Sequence, residues 1–168
     1  MPPIAPADAA VGLLVLIALI TDLRSRRIPN LLSFGFLFLG VAANGVAGDV
    51  AVGFIGAGVA FALTFPGWLA GRAIRAGDAK LLMAVGAFYG GGDALRACVF
   101  SYILHLPYGL VILAAKGRLG NLLITVRAGV GRAFGKELPE PEVTEVPFMP
   151  VIAVAVLLTR CTDWLRFW

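Results

Sequence analysis

Residues 21–30 read TDLRSRRIPN and follow the run GLLVLIALI at 12–20, which carries no polar side chain. An aspartate and three arginines against a membrane-length apolar segment are either the water-facing end of a span or part of a chemical site. The ten residues alone do not decide between the two. Pro29 stops the preceding helix, because the residue before a proline is pushed out of the helical region. Pro29 and Asn30 together suit a new helix start: proline is tolerated in a first turn and asparagine can cap free N–H groups.

The composition extends this reading to the whole chain. Of its 168 residues, 60% are hydrophobic and 14% charged, against about 45–50% and about 25% in soluble domains. Mean hydropathy is +0.91. No soluble core uses that much apolar surface, so the sequence predicts an all-α, polytopic membrane bundle in a single integral-membrane domain, 1–168. A net charge of +4 without a basic patch excludes a nucleic-acid partner; the lipid bilayer is the expected one. The N-terminus has neither a basic n-region nor an A-x-A site before its charges, and reads as a retained span.

A helix crossing the hydrocarbon core needs about 20 residues, and six spans are expected: 4–21, 31–47, 51–70, 73–92, 94–115 and 146–160. Glycines at 53, 56 and 58 suit close helix approach in the third. With the arginine loop in the cytoplasm, all of the 14 basic residues except Arg96, Arg160 and Arg166 fall inside. That bias sets both termini outside. Segment 116–136 gathers Leu119, Leu122, Leu123, Val126 and Val130 on one helical face, which predicts a basic amphipathic helix on the inner leaflet. The acidic ELPEPEVTEVP stretch then reads as a solvated linker.

The stretch IRAGDAKLLMAVGAFYG supplies the second site element. Its fourth span reaches membrane length only by drawing in Asp78 and Lys80, and a carboxylate inside a span marks a functional site by default. Asp22 ends span one going inward and Asp78 begins span four going outward. Two spans lie between them, so both carboxylates return to the same face at similar depth. Two close carboxylates do not both ionise cheaply; one keeps its proton while the other activates a water against a carbonyl. Asp49 and Asp93 share the opposite face, but beside glycines they read as turn residues. Among the rest, Asn44 is expected in a helix-to-helix contact, His105 in packing, and the phenylalanines at 34, 36 and 38 against lipid or neighbouring helices. Cys98 and Cys161 form no CxxC pair; their spacing leaves open whether they pair with each other. No His/Cys/Glu cluster has metal-ligand spacing, and no cofactor is expected.

DLRSRRIPN (22–30), RAGDAKLL (75–82) and the weaker VPFMPVIAVA (146–155) resemble motifs of the type IV prepilin peptidases, membrane aspartyl proteases with a GxGD signature. The resemblance implies that Asp22 and Asp78 are the catalytic pair, with Gly77 and Lys80 as motif partners and Pro29 and Asn30 in support. Arg75 stands where that signature has its first glycine. The lack of CxxC pairs looks like the short, peptidase-only form of Flp/Tad pilus systems. This implies cleavage of prepilin leaders at the cytoplasmic face of the bacterial inner membrane, without N-methylation. A homo-oligomer is compatible with it. Two other readings stay open from the residues alone: a proton-coupled transporter or channel subunit using Asp22 and Asp78 as carriers, and a structural subunit of a secretion assembly.

Overall fold

The computed structural model describes residues 6–69, 74–118, 120 and 147–162. These form five α-helices and no strand: α1 (Pro6–Ser25), α2 (Asn30–Val46), α3 (Val50–Leu69), α4 (Ala76–Ala115) and α5 (Met149–Cys161). Three of them, α1, α3 and α4, are long and apolar enough to cross a membrane; α2 and α5 are shorter apolar helices. Residues 1–104 with 147–168 make one compact unit and 105–146 a second. The site lies in the first. Residues 121–146, which hold most of the expected amphipathic helix and acidic linker, lie outside the described residues.

The core is built from helical stripes. Val11, Leu14 and Ala18 of α1 meet Leu81, Leu82 and Val85 of α4 and Met149 and Ile152 of α5, all essentially inaccessible. The opposite sides of the helices are apolar too: Leu13, Leu16, Leu23, Phe38, Phe54 and Leu157 are all more than half exposed. Helices that are apolar inside and outside are suited to lipid rather than water. In lipid, contact between helices depends on close packing of small residues. A Cβ on Gly56 would run into the Gly86 carbonyl, and one on Gly86 into the Gly56 carbonyl. On α2, Gly40 lies against the Ala87 backbone, where a Cβ would come within 2.9 Å. One turn on, Asn44 Nδ2 donates to the carbonyls of Ala87 at 2.8 Å and Gly40 at 3.2 Å, the interhelical contact expected of it.

The expected fourth and fifth spans are not separated by a GGGD loop. They form the single helix α4, interrupted at Gly90 (φ 81, ψ −179). A Cβ on Gly86 would lie 3.0 Å from Ala94 Cβ. Eight residues of straight helix would separate those positions by about 12 Å, so the chain doubles back at Gly90. The described residues therefore hold five helices, one bent into two arms, rather than six. Only glycine reaches this φ without strain, and the reversal at one residue leaves Gly91, Gly92 and Asp93 helical. Asp93 is thus not a turn residue. Asp49 does act locally: its Oδ1 accepts from Ala51 N–H at 3.1 Å at the start of α3.

Candidate active site

The first half of the site is the end of α1. Thr21 Oγ1 bonds back to the Ile17 and Ala18 carbonyls, at 2.9 and 3.0 Å, and Ser25 Oγ to the Thr21 carbonyl at 2.8 Å. The helix thus runs past residue 21 and carries Asp22 in its last turns. It ends where Arg26 takes a left-handed φ of 51, its N–H donating to the Asp22 carbonyl at 2.8 Å. A non-glycine residue at positive φ is uncommon, and here it turns the arginine loop sharply out of the helix. Asp22 falls on the same face as Val11, Leu14 and Ala18 and is buried, 8% exposed.

Pro29 is the N-cap of α2, in extended conformation and with no side-chain cap. Asparagine capping was expected at this start; the structure instead makes Asn30 the first helical residue and sends its side chain across the bundle. Asn30 Oδ1 accepts from Lys80 Nζ at 3.0 Å. Lys80 Nζ also lies 5.0 Å from the Phe34 ring centroid, so Phe34 contacts a cation as well as its surroundings.

The second half is the first turn of α4. Ala79 N–H bonds the Arg75 carbonyl at 3.1 Å, which makes Arg75 the N-cap. Asp78 is then the third helical residue, and its carboxylate accepts from the Arg75 backbone N–H. This is the reciprocal half of a capping box. The other oxygen, Oδ2, is buried without a hydrogen-bond partner among the described residues, and Asp78 as a whole is 4% exposed. Asp22 lies close enough for the two charges to interact, and so does Arg75. Gly77 is packed by Ile28 from the arginine loop, which a Cβ would meet at 3.4 Å.

The structure therefore brings Asp22, Asp78, Gly77, Lys80, Arg75, Pro29 and Asn30 to one end of the bundle. The two motifs interlock through Ile28 on Gly77 and Lys80 on Asn30. Gly77 sits in an ordinary helical turn, so its place follows from packing rather than from backbone freedom. Arg75 has no positive φ, so the missing motif glycine costs the backbone nothing. No group of three or more His, Cys, Asp or Glu residues suited to a metal occurs among the described residues.

At the other end lies a cluster that the sequence reading did not assemble. Arg160 pairs with Asp8 through Nε at 2.7 Å and Nη2 at 3.0 Å, and approaches Asp93 at 3.7 Å. Arg96, 2% exposed, pairs with Asp93 at 2.8 Å and donates to the Thr162 carbonyl. Arg160 also lies over the Tyr89 ring, 5.1 Å from its centroid. The parity rule that joined Asp22 with Asp78 places Asp8, Asp93, Arg96 and Arg160 together as well. Arg96 and Arg160, read as flanking charges, are in fact inter-helix ties. Cys98 and Cys161 are both free, the first buried and the second exposed, so they form no disulfide.

Searches among curated proteins and solved structures return no significant match. The family model for the type IV leader peptidase family matches residues 9–125, a stretch that contains both interlocked motifs. The chain is a membrane protein that belongs to the type IV leader peptidase family, and membership implies a peptidase.

Proposed function

We propose that the chain is an aspartyl endopeptidase that removes the leader from prepilin-like precursors, with Asp22 and Asp78 as its catalytic pair. The observation that carries this reading is the convergence of two buried carboxylates, one with an oxygen unpartnered among the described residues, from motifs interlocked by Lys80–Asn30 and Ile28–Gly77. A water held between the carboxyls loses a proton to the ionised one as its oxygen attacks the scissile carbonyl. The protonated partner hydrogen-bonds that carbonyl, and proton return to the amine releases the new N-terminus. Burial excludes bulk water and strengthens each of these interactions.

The helical segments, counting the arms of α4 separately, pass back and forth in the bacterial inner membrane, the shorter ones in locally thinned bilayer, with both termini outside and the pair at the cytoplasmic face. The basic stretch 24–27, at the end of α1 and the start of the loop, supports that orientation. The first arm, residues 76–89, is about 21 Å long, short of the roughly 30 Å hydrocarbon core. Asp78 thus sits just within the membrane boundary, where a precursor bound in the bilayer exposes its leader junction. The two cysteines form no CxxC pair, which supports cleavage without N-methylation and the short Flp/Tad type of substrate.

The test is co-expression in membranes with an Flp-type precursor, following leader removal by mass. Wild type should trim at one small residue, while Asp22→Asn and Asp78→Asn stay inserted and inert. Cleavage by either variant would sink the paired-carboxylate mechanism. Proton flux lost with both variants, and no trimming by wild type, would point to a transporter.

A further inference from the structure

Between α1 and α5 runs a half-open groove of about 460 Å³, walled by Gly12, Val15, Leu16 and Leu19 on one side and Ala153 and Leu157 on the other. Its α1 wall has helical register: Asp8, Gly12, Val15 and Leu19 recur at steps of four and three, and the next position is Asp22. The groove's α1 wall thus runs from the Asp8–Arg160 pair to Leu19, one helical step short of the buried Asp22. From Asp8 to Asp22 the helix rises about 21 Å.

The groove is open at the backbone. A Cβ built on Gly12 meets nothing within 4 Å, and Ala153 opposite is also small. Small residues on facing helices let a third helix bring its backbone close. The charges at the far end are matched to each other, so they call for no charged guest. An apolar helix meets every condition along this path.

We propose that the α1–α5 groove seats the apolar helix of the precursor, its scissile bond at Asp22 and its axis running along α1 toward Asp8 and Arg160. This rests on the peptidase reading and adds where the substrate lies and which residues select it. Gly12 is the specificity-determining position, because any larger side chain occupies the space the guest backbone needs.

Two glycines make the test clean. Gly12 and Gly58 are both exposed, and a Cβ on either meets nothing within 4 Å, but Gly58 lies on α3 outside the groove. The probe is a precursor with a basic leader, a glycine junction and a 20-residue Leu/Ala helix, in vesicles with the full chain. Gly12→Leu should raise KM at least tenfold with kcat little changed, while Gly58→Leu stays within twofold of wild type.

Position is read separately. Cys161 lines the groove's outer end and is exposed, whereas Cys98 is buried. In an Asp78→Asn background, precursors with a single cysteine at successive helix positions are oxidised with copper phenanthroline. Disulfides to Cys161 should peak about fourteen residues after the junction, recur one turn away, and vanish in Cys161→Ser. Normal KM for Gly12→Leu, or no helical pattern of crosslinks, while wild type still cleaves, overturns the groove and leaves the peptidase standing. A wild type that cleaves no precursor sinks the peptidase reading and the groove's occupant with it.

Discussion

Asp78 divides its two oxygens: one caps its own helix on the Arg75 N–H, and the other has no hydrogen-bond partner among the described residues. An asparagine keeps the capping acceptor, so Asp78→Asn should change thermal stability by no more than about 1 kcal/mol. Leader removal should nevertheless be undetectable, a combination that melting in detergent and a mass assay read together. An alanine at 78 would lose the cap as well, which makes it the poorer probe. Lys80 and Asn30 form the other local device. Each single alanine variant should slow cleavage several-fold, and the double variant should be no worse than the poorer single. A coupling of about 0.5–1 kcal/mol in that cycle is the expected measure of their contact. These residues were legible in the sequence because aspartate in an apolar span has few reasons to exist. The capping role expected of Asn30 is replaced by its contact with Lys80: its short side chain suits a cap, and nothing local reveals a lysine fifty positions away.

Element packing depends on glycine at two places for different reasons. Gly56 and Gly86 let α3 and the first arm of α4 touch backbone to backbone, so Gly56→Ala meets a carbonyl that no rotamer can move. Overpacking costs about 1–3 kcal/mol and sometimes more; Gly56→Ala should fall at the upper end and Gly56→Leu should fail to accumulate. Gly77→Ala, against the side chain of Ile28 at 3.4 Å, should melt within about 1 kcal/mol of wild type. Gly90→Ala would add a Cβ at φ 81, ψ −179, a glycine-only region costing about 1–3 kcal/mol, and push it to 2.9 Å from Val52. Thermal denaturation of the four variants should therefore rank them Gly77→Ala, Gly90→Ala, Gly56→Ala, Gly56→Leu in falling stability. Apolar run lengths revealed where the helices lie to within a few residues. They did not reveal the hairpin at Gly90, because a run of three glycines reads equally well as a loop and as a reversal at one of them.

At the scale of the molecule, one end gathers two buried carboxylates that raise each other's charge cost and the other end pairs its carboxylates with arginines. Asp8 and Asp93 are matched by Arg160 and Arg96, tying the start of α1, the second arm of α4 and the end of α5 around the core. The sequence contains all four residues, but as single charges at span ends they are indistinguishable from orientation signals. Only their convergence in three dimensions separates the two readings. Removing one member of a buried pair strands its partner at a cost of about 3–5 kcal/mol, whereas pairs in contact with solvent are worth about 0–1 kcal/mol. Arg96 is nearly inaccessible, and its pairing is with a carboxylate that is 20% exposed; Arg160 is 27% exposed. Arg96→Ala should therefore lower the melting point clearly more than Arg160→Ala. Arg96→Ala leaves Asp93 20% exposed and 3.7 Å from Arg160, so adding Asp93→Ala should recover at most a small part of the loss. If the double variant melts below both singles, the residues hold the bundle through packing instead, and the charges there are incidental to its stability.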